Sequence, residues 1–251
     1  MKTTEPTALA AGPDATARGA VRPRAIAYGS ETNSPPPYLQ RWVPGRTFGA
    51  TFLSDGSSAR LLGICSGRFT KLSNRPFVYA GSLGPLALGK ALTDTIQRVG
   101  AHVVQQLPLQ GLFNVDLIIE GEVVWLLEVN PRWSASCELI ERAMIDAASL
   151  SPRESLIGLT LRGRVNDVPL ATPSAPYLKR VVFSRQSGQC DLNRIRGLGE
   201  LDAELADVPP AGRLIQAGEP ILSVILKYAD TGTVAWKKTR RLFASVQAAV
   251  C

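Results

Sequence analysis

Two carboxylates and an amide stand out in an otherwise apolar stretch: Asp116, Glu128 and Asn130. Residues 115–119 and 123–129 are rich in β-branched and apolar side chains, and Glu120-Gly121-Glu122 separates them. The stretch is therefore expected to form an antiparallel hairpin. Side chains alternate along a strand. A three-residue loop sets Ile119 against Val123 and puts Asn114, Asp116, Glu128 and Asn130 on one face, with Asp116 and Glu128 as diagonal neighbours. A two-residue loop puts the two acids on opposite faces. Half-buried charges are costly unless paired or metal-bound. Oxygen ligands without Cys or His suit Mg2+ or Mn2+, which also take substrate phosphates. A wet strand edge is the plainer alternative, because structural charge pairs are common.

Glu128-Val129-Asn130-Pro131-Arg132 closes one strand, with Asp116 on the strand before it. This pattern resembles the metal site of the ATP-grasp superfamily. The resemblance implies that Asp116, Glu128 and Asn130 hold Mg2+ (or Mn2+) against ATP phosphates, and that Arg132 contacts the phosphates or an acyl phosphate. Upstream, Gln40-Arg41-Trp42-Val43-Pro44-Gly45 is similar to the adenine hinge of the same family. Adenine needs one backbone donor, one acceptor and apolar faces. By the resemblance, Gln40 and the Val43 backbone read the adenine edge and Trp42 lies beside the ring. A plain hairpin with a core Trp is the alternative. Many family members carry a ribose-binding Glu two residues past the hinge glycine; Thr47 stands there.

The elements that must position these residues follow from periodicity and punctuation. Residues 38–53 are predicted as two short strands joined at Pro44-Gly45. Residues 61–69 are predicted as a strand and 71–85 as a loop that is briefly extended at 77–82, with Arg68 and Lys71 as candidate phosphate contacts or plain surface residues. Leu88, Leu92, Ile96, Val99 and Val103 recur at helical steps within 86–106. Residues 137–148, capped by Ser134 or Ser136, form the helix after the hairpin, and 151–161 a last short one. A helix starting there aims free N–H groups at anions. Residues 177–185 and 220–226 read as strands, and 242–250 as helical or extended. Residues 206–226 loosely resemble the small β-barrel module of biotin-carboxylase-like members.

The predicted architecture is α+β. An ATP-grasp C-terminal subdomain, an antiparallel sheet with helices, spans 38–163. A linker at 164–176 and a small β-rich module over 177–251 follow it. Residues 1–37 are expected to be disordered or irregular, with a short strand at 25–28, because they bury too little apolar surface to offset their ordering entropy.

The 251 residues suffice for one large domain or two small ones. No apolar run reaches membrane-span length and no secretory leader is visible, so a cytoplasmic protein is expected. The 4 cysteines are widely spaced, fitting buried thiols better than a zinc site or disulfide framework. With His102 the only histidine, a His-cluster metal site is excluded. The net charge of +7 is partly local to residues 237–241, a solvated run more than a nucleic-acid patch, since no aromatic platform accompanies it. A basic surface also suits phosphorylated or carboxylated substrates.

The resemblance covers about residues 38–161 and implies an ATP-dependent ligase, whole or in part, joining a small-molecule carboxylate to an amine through an acyl phosphate. In the family, phosphate-binding lysines precede the hinge; here only Lys2 does. The expectation is therefore an incomplete enzyme whose missing half comes from a partner chain, or a non-catalytic nucleotide-binding relic or subunit.

Overall fold

The computed structural model describes residues 3–4, 7–9, 39–162, 175–196, 203–228 and 241–250. In chain order the strands begin with β1 (Thr3–Thr4), β2 (Thr7–Leu9), β3 (Leu39–Gln40), β4 (Arg46–Asp55), β5 (Ala59–Leu72) and β6 (Arg75–Gly84). Then come α1 (Lys90–Gln106), β7 (Gln110–Glu120), β8 (Val123–Asn130), α2 (Ala135–Asp146) and α3 (Leu156–Arg162). The remainder is β9 (Tyr177–Phe183), β10 (Gly188–Gln189), α4 (Leu192–Arg196), β11 (Glu204–Ala206), β12 (Leu214–Ile215), β13 (Pro220–Lys227) and α5 (241–248).

Nine strands form one antiparallel sheet in the order β11-β13-β9-β6-β5-β4-β7-β8-β2. This is the α+β, antiparallel arrangement that the sequence predicts. Along β4, Phe48, Ala50 and Phe52 join the core under α1, while Leu53 belongs to the core under α2 and α3. The helical spacing in α1 is reflected in its buried residues Ile96, Val99, Val103 and Val104. Gln97 stitches α1 to β5, accepting from the Leu61 N–H at 2.9 Å and donating to the Ala59 carbonyl at 2.7 Å. Gly100 lets the helix sit close: a Cβ there would lie 2.2 Å from the Phe52 ring, which stacks on Phe113 with centroids 5.0 Å apart.

Two local expectations are corrected. Residues 75–84 are not loop but a full strand pairing with β5 and β9. A register irregularity lets the ladder pass Gly81, whose φ is +139°. And β3 does not pair with β4, whose two edges are taken by β5 and β7; it pairs in parallel with β1. Of the N-terminal 37 residues, only β1 and β2 are described. The strand expected at 25–28 and the basic residues 237–240 lie outside the described residues.

The sheet continues through β9 and β13, where Ser82 pairs Lys179 and Lys179 pairs Ile225. A separate cluster, including Val182, Ile215, Leu222, Leu242 and Val246, forms the core of this C-terminal part. α2 is tied to it by charge. Lys179 donates to Glu138 at 2.7 Å, Lys227 reaches Asp146 at 2.5 Å, and Arg142 pairs with Glu204. Cys65, Cys137 and Cys190 are buried free thiols. No described helix is long and apolar enough to cross a membrane.

The Phe52 contact yields a test. Gly100→Ala overpacks the interface of α1 with the sheet and is expected to cost about 1–3 kcal/mol in denaturant unfolding.

Candidate functional site

The hairpin loop proves to be two residues long: Glu120 pairs Val123, Ile119 pairs Val124 and Leu117 pairs Leu126. Continued regularly, that register would set Asp116 against Leu127 and turn Glu128 to the other face. A bulge intervenes. The ladder shifts at Asp116/Leu117, so that Asp116 pairs Glu128, Val115 pairs Val129 and Asn114 pairs Asn130. The three-residue turn is thus corrected, and the shared face arises from the bulge at Leu127 instead. The two carboxylates are direct rather than diagonal neighbours.

Asn114 Nδ2 donates to Asp116 Oδ1 at 2.9 Å, and Asn130 Nδ2 donates to Asp116 Oδ2 at 3.0 Å. Arg132 donates to Asn130 Oδ1 at 3.2 Å and to the Trp133 carbonyl at 3.3 Å. Burial pushes the Asp116 carboxyl above its ordinary range, and the facing Glu128 charge pushes it further, opposed by the two amides and Arg132. A divalent cation relieves this repulsion, so the donor set fits an oxygen-seeking metal. Among the described residues no group of three or more His, Cys, Asp or Glu stands together. The Asn130 amide, the third residue of the expected set, turns its nitrogen to Asp116 and its oxygen to Arg132, so it would have to turn over to offer that oxygen to a cation.

Gly49 and Thr51, which the sequence did not single out, join Asn114 and Ser136 on this face. Gly49 lies opposite Asp116 on β4, where a Cβ would come within 3.1 Å of Ser136 Oγ and 3.3 Å of Asn114 Oδ1. The buried Thr51 hydroxyl donates to Asn114 Oδ1 at 3.2 Å. The first turn of α2 thus packs beside the acidic pair and brings a positive dipole end there. Its N-cap is Ser134, whose N–H donates to Cys137 Sγ at 3.4 Å. Arg68 is excluded from this face: it stands three residues beyond Cys65, which pairs with Gly49, and so points the other way.

The candidate hinge passes close to the far end of β7. Gly45 has φ +145°, and a Cβ there would lie 2.5 Å from the Ile119 carbonyl oxygen. Asp116 is three residues from Ile119, about 10 Å along the strand. Val43 is buried, whereas Trp42 is 46% exposed, its ring 6.2 Å from that of Phe77. The Arg41 guanidinium lies over the Trp125 ring of β8 at 5.6 Å. Thr47, at the family's ribose position, donates its hydroxyl to the Gly67 carbonyl at 3.1 Å.

This fold, with opposed acids on a hairpin and a glycine-pinned segment beside it, is that of the ATP-grasp proteins. Residues 15–136 match the family model of the ATP-grasp domain, and the chain belongs to the ATP-grasp superfamily. It is 23% identical over 192 residues to an uncharacterized protein of Methanocaldococcus jannaschii, covering 76% of this chain and 43% of that one. To the formate-dependent phosphoribosylglycinamide formyltransferase of Tolumonas auensis it is 31% identical over 175 residues, covering 67% of this chain and 41% of the relative. The N5-carboxyaminoimidazole synthase of Aspergillus clavatus, solved with ADP, shares the fold at TM-score 0.58 and 14% identity, over 84% of this chain and 54% of that one. The chain thus spans less than half the length of these two curated relatives.

The hinge geometry is testable by itself. Gly45→Ala places a side chain where φ and the Ile119 carbonyl both forbid it, and is expected to lower stability by about 1–3 kcal/mol in urea unfolding.

Proposed function

We propose that this chain binds ATP with Mg2+ or Mn2+ on the hairpin face of the sheet, as the C-terminal part of a ligase that joins a carboxylate to an amine. The observation that carries this reading is Asp116 facing Glu128 on one rung, with Asn130 and Arg132 hydrogen-bonded in sequence beyond them. Asp116, Glu128 and Asn130 would hold the cation, which when bound neutralises phosphate charge. Arg132, held at the Trp133 carbonyl and released from Asn130 when that amide turns its oxygen to the cation, offers a guanidinium to phosphate or acyl-phosphate oxygens. Gln40 and the Val43 backbone read the adenine edge, and Trp42 flanks the base. The spacing between hinge and acidic pair supports one extended nucleotide lying along β7. The names of the relatives, a formyltransferase acting with formate and a carboxyaminoimidazole synthase, support a small-acid substrate and an amine nucleophile.

Metal-dependent thermal shifts test the cation site. At a hundredfold excess over its dissociation constant, Mn2+ should stabilise the parent by about 2.7 kcal/mol. Glu128→Gln and Asp116→Asn should lose most of that shift and most metal-dependent ATP affinity. Glu122→Gln, in the hairpin loop, should keep both. A Glu128→Gln variant that responds as the parent does would reduce the carboxylates to a strand edge.

The hinge has its own test. Mg-ATP should change tryptophan fluorescence, and Trp42→Phe should remove most of the change. An unaltered signal during calorimetrically proven ATP binding would displace Trp42 from the base.

A further inference from the structure

Away from the hairpin, β6, β9 and β13 border a cavity of about 520 Å3, within the size range of small-molecule sites. Lys179, on its wall, stands four strands from Asp116 in the sheet order, about 19 Å at ordinary strand spacing. The cavity is therefore separate from the acidic pair.

Its charges are unbalanced. Arg75, Lys179 and Arg213 line it against one acid, Asp207. Lys179 is already neutralised, 2.7 Å from Glu138 and 3.2 Å from Asp207. Arg75 makes one weak hydrogen bond, to the Gly218 carbonyl at 3.4 Å. Among the described residues neither Arg75 nor Arg213 has a carboxylate partner. Two guanidinium groups, each presenting a planar fork of donors, thus border the cavity uncompensated. The remaining wall is largely apolar, with Val181, Phe183 and Ile221 among its residues. A fork matches a carboxylate, and an apolar wall rewards a carbon body over a bare inorganic ion.

We propose that this cavity is a binding site for a small organic acid, its carboxylate held by Arg75 and Arg213 and its carbon body against Val181, Phe183 and Ile221. The Lys179–Asp207 pair spends its charges internally and shapes the wall. This site stands independently of nucleotide binding at the hairpin.

Calorimetric titration of the full chain with phenylacetate tests it, with phenethylamine as the charge-reversed control and inorganic phosphate as the bare anion. Saturable phenylacetate binding is expected, at least tenfold tighter than either control. Arg75→Gln and Arg213→Gln should each weaken it tenfold or more, and Glu122→Gln should leave it unchanged. Both arginines are exposed, so the variants should melt as the parent does and keep its Mg-ATP affinity. Three results would overturn the proposal: no saturable phenylacetate binding by the parent, phosphate or phenethylamine binding as tightly, or undiminished affinity in the double arginine variant.

Discussion

Asp116 and Glu128 face each other across one rung of an antiparallel ladder, an arrangement that opposes like charges in a partly buried place. Everything around the hairpin answers this constraint. Two asparagine amides occupy the oxygens of Asp116, Arg132 fastens to the second amide, and the first turn of α2 adds its dipole. The register that creates the opposition depends on one extra residue, Leu127. Bulges of this kind re-aim side chains next to functional sites. Here the bulge turns a hairpin that would have split its acids between two faces into one that gathers them.

The rest of the fold keeps that rung rigid. β7 is paired along its length with β4 on one side and β8 on the other. α1 covers one face with a close contact at Gly100, and α2 and α3 cover the other. Lys179 and Arg142 carry the order of α2 into β9 and β11 by ion pairs, so the C-terminal strands brace the helix whose start lies beside the acids.

Local features were legible in the sequence where a single period or motif decides them. The apolar steps of α1 and the two hairpin strands were readable from neighbours a few residues apart, whereas the shared face of Asp116 and Glu128 was expected from a three-residue turn and comes from the bulge. What escaped depends on distant pairing or on one-residue detail. β6 looked like a loop because Pro76, Gly81 and Gly84 punctuate it, yet β5 and β9 on its two sides hold it extended. The bulge at Leu127 has no composition signal, since Leu-Leu-Glu fits a regular strand equally well. Of the hinge segment, Gly45 lies against β7, and its need for positive φ becomes visible once Ile119 is seen against it. Arg75 and Arg213 line one cavity although they are far apart in the chain, a proximity no spacing rule reveals.

The rim of the sheet carries a different consequence. β2 pairs with Val124, Trp125 and Leu126, and its described pairing stops short of Glu128 and Asn130. Among the described residues β8 meets no second strand beyond Leu126 on that side, and Glu128 is exposed. On the proposed reading, the exposed Glu128 carboxylate is the ligand that a hydrated cation meets first, before it reaches the half-buried Asp116. A cation shared between that carboxylate and the nucleotide's phosphates makes the two binding events thermodynamically coupled, each tightening the other by the same factor.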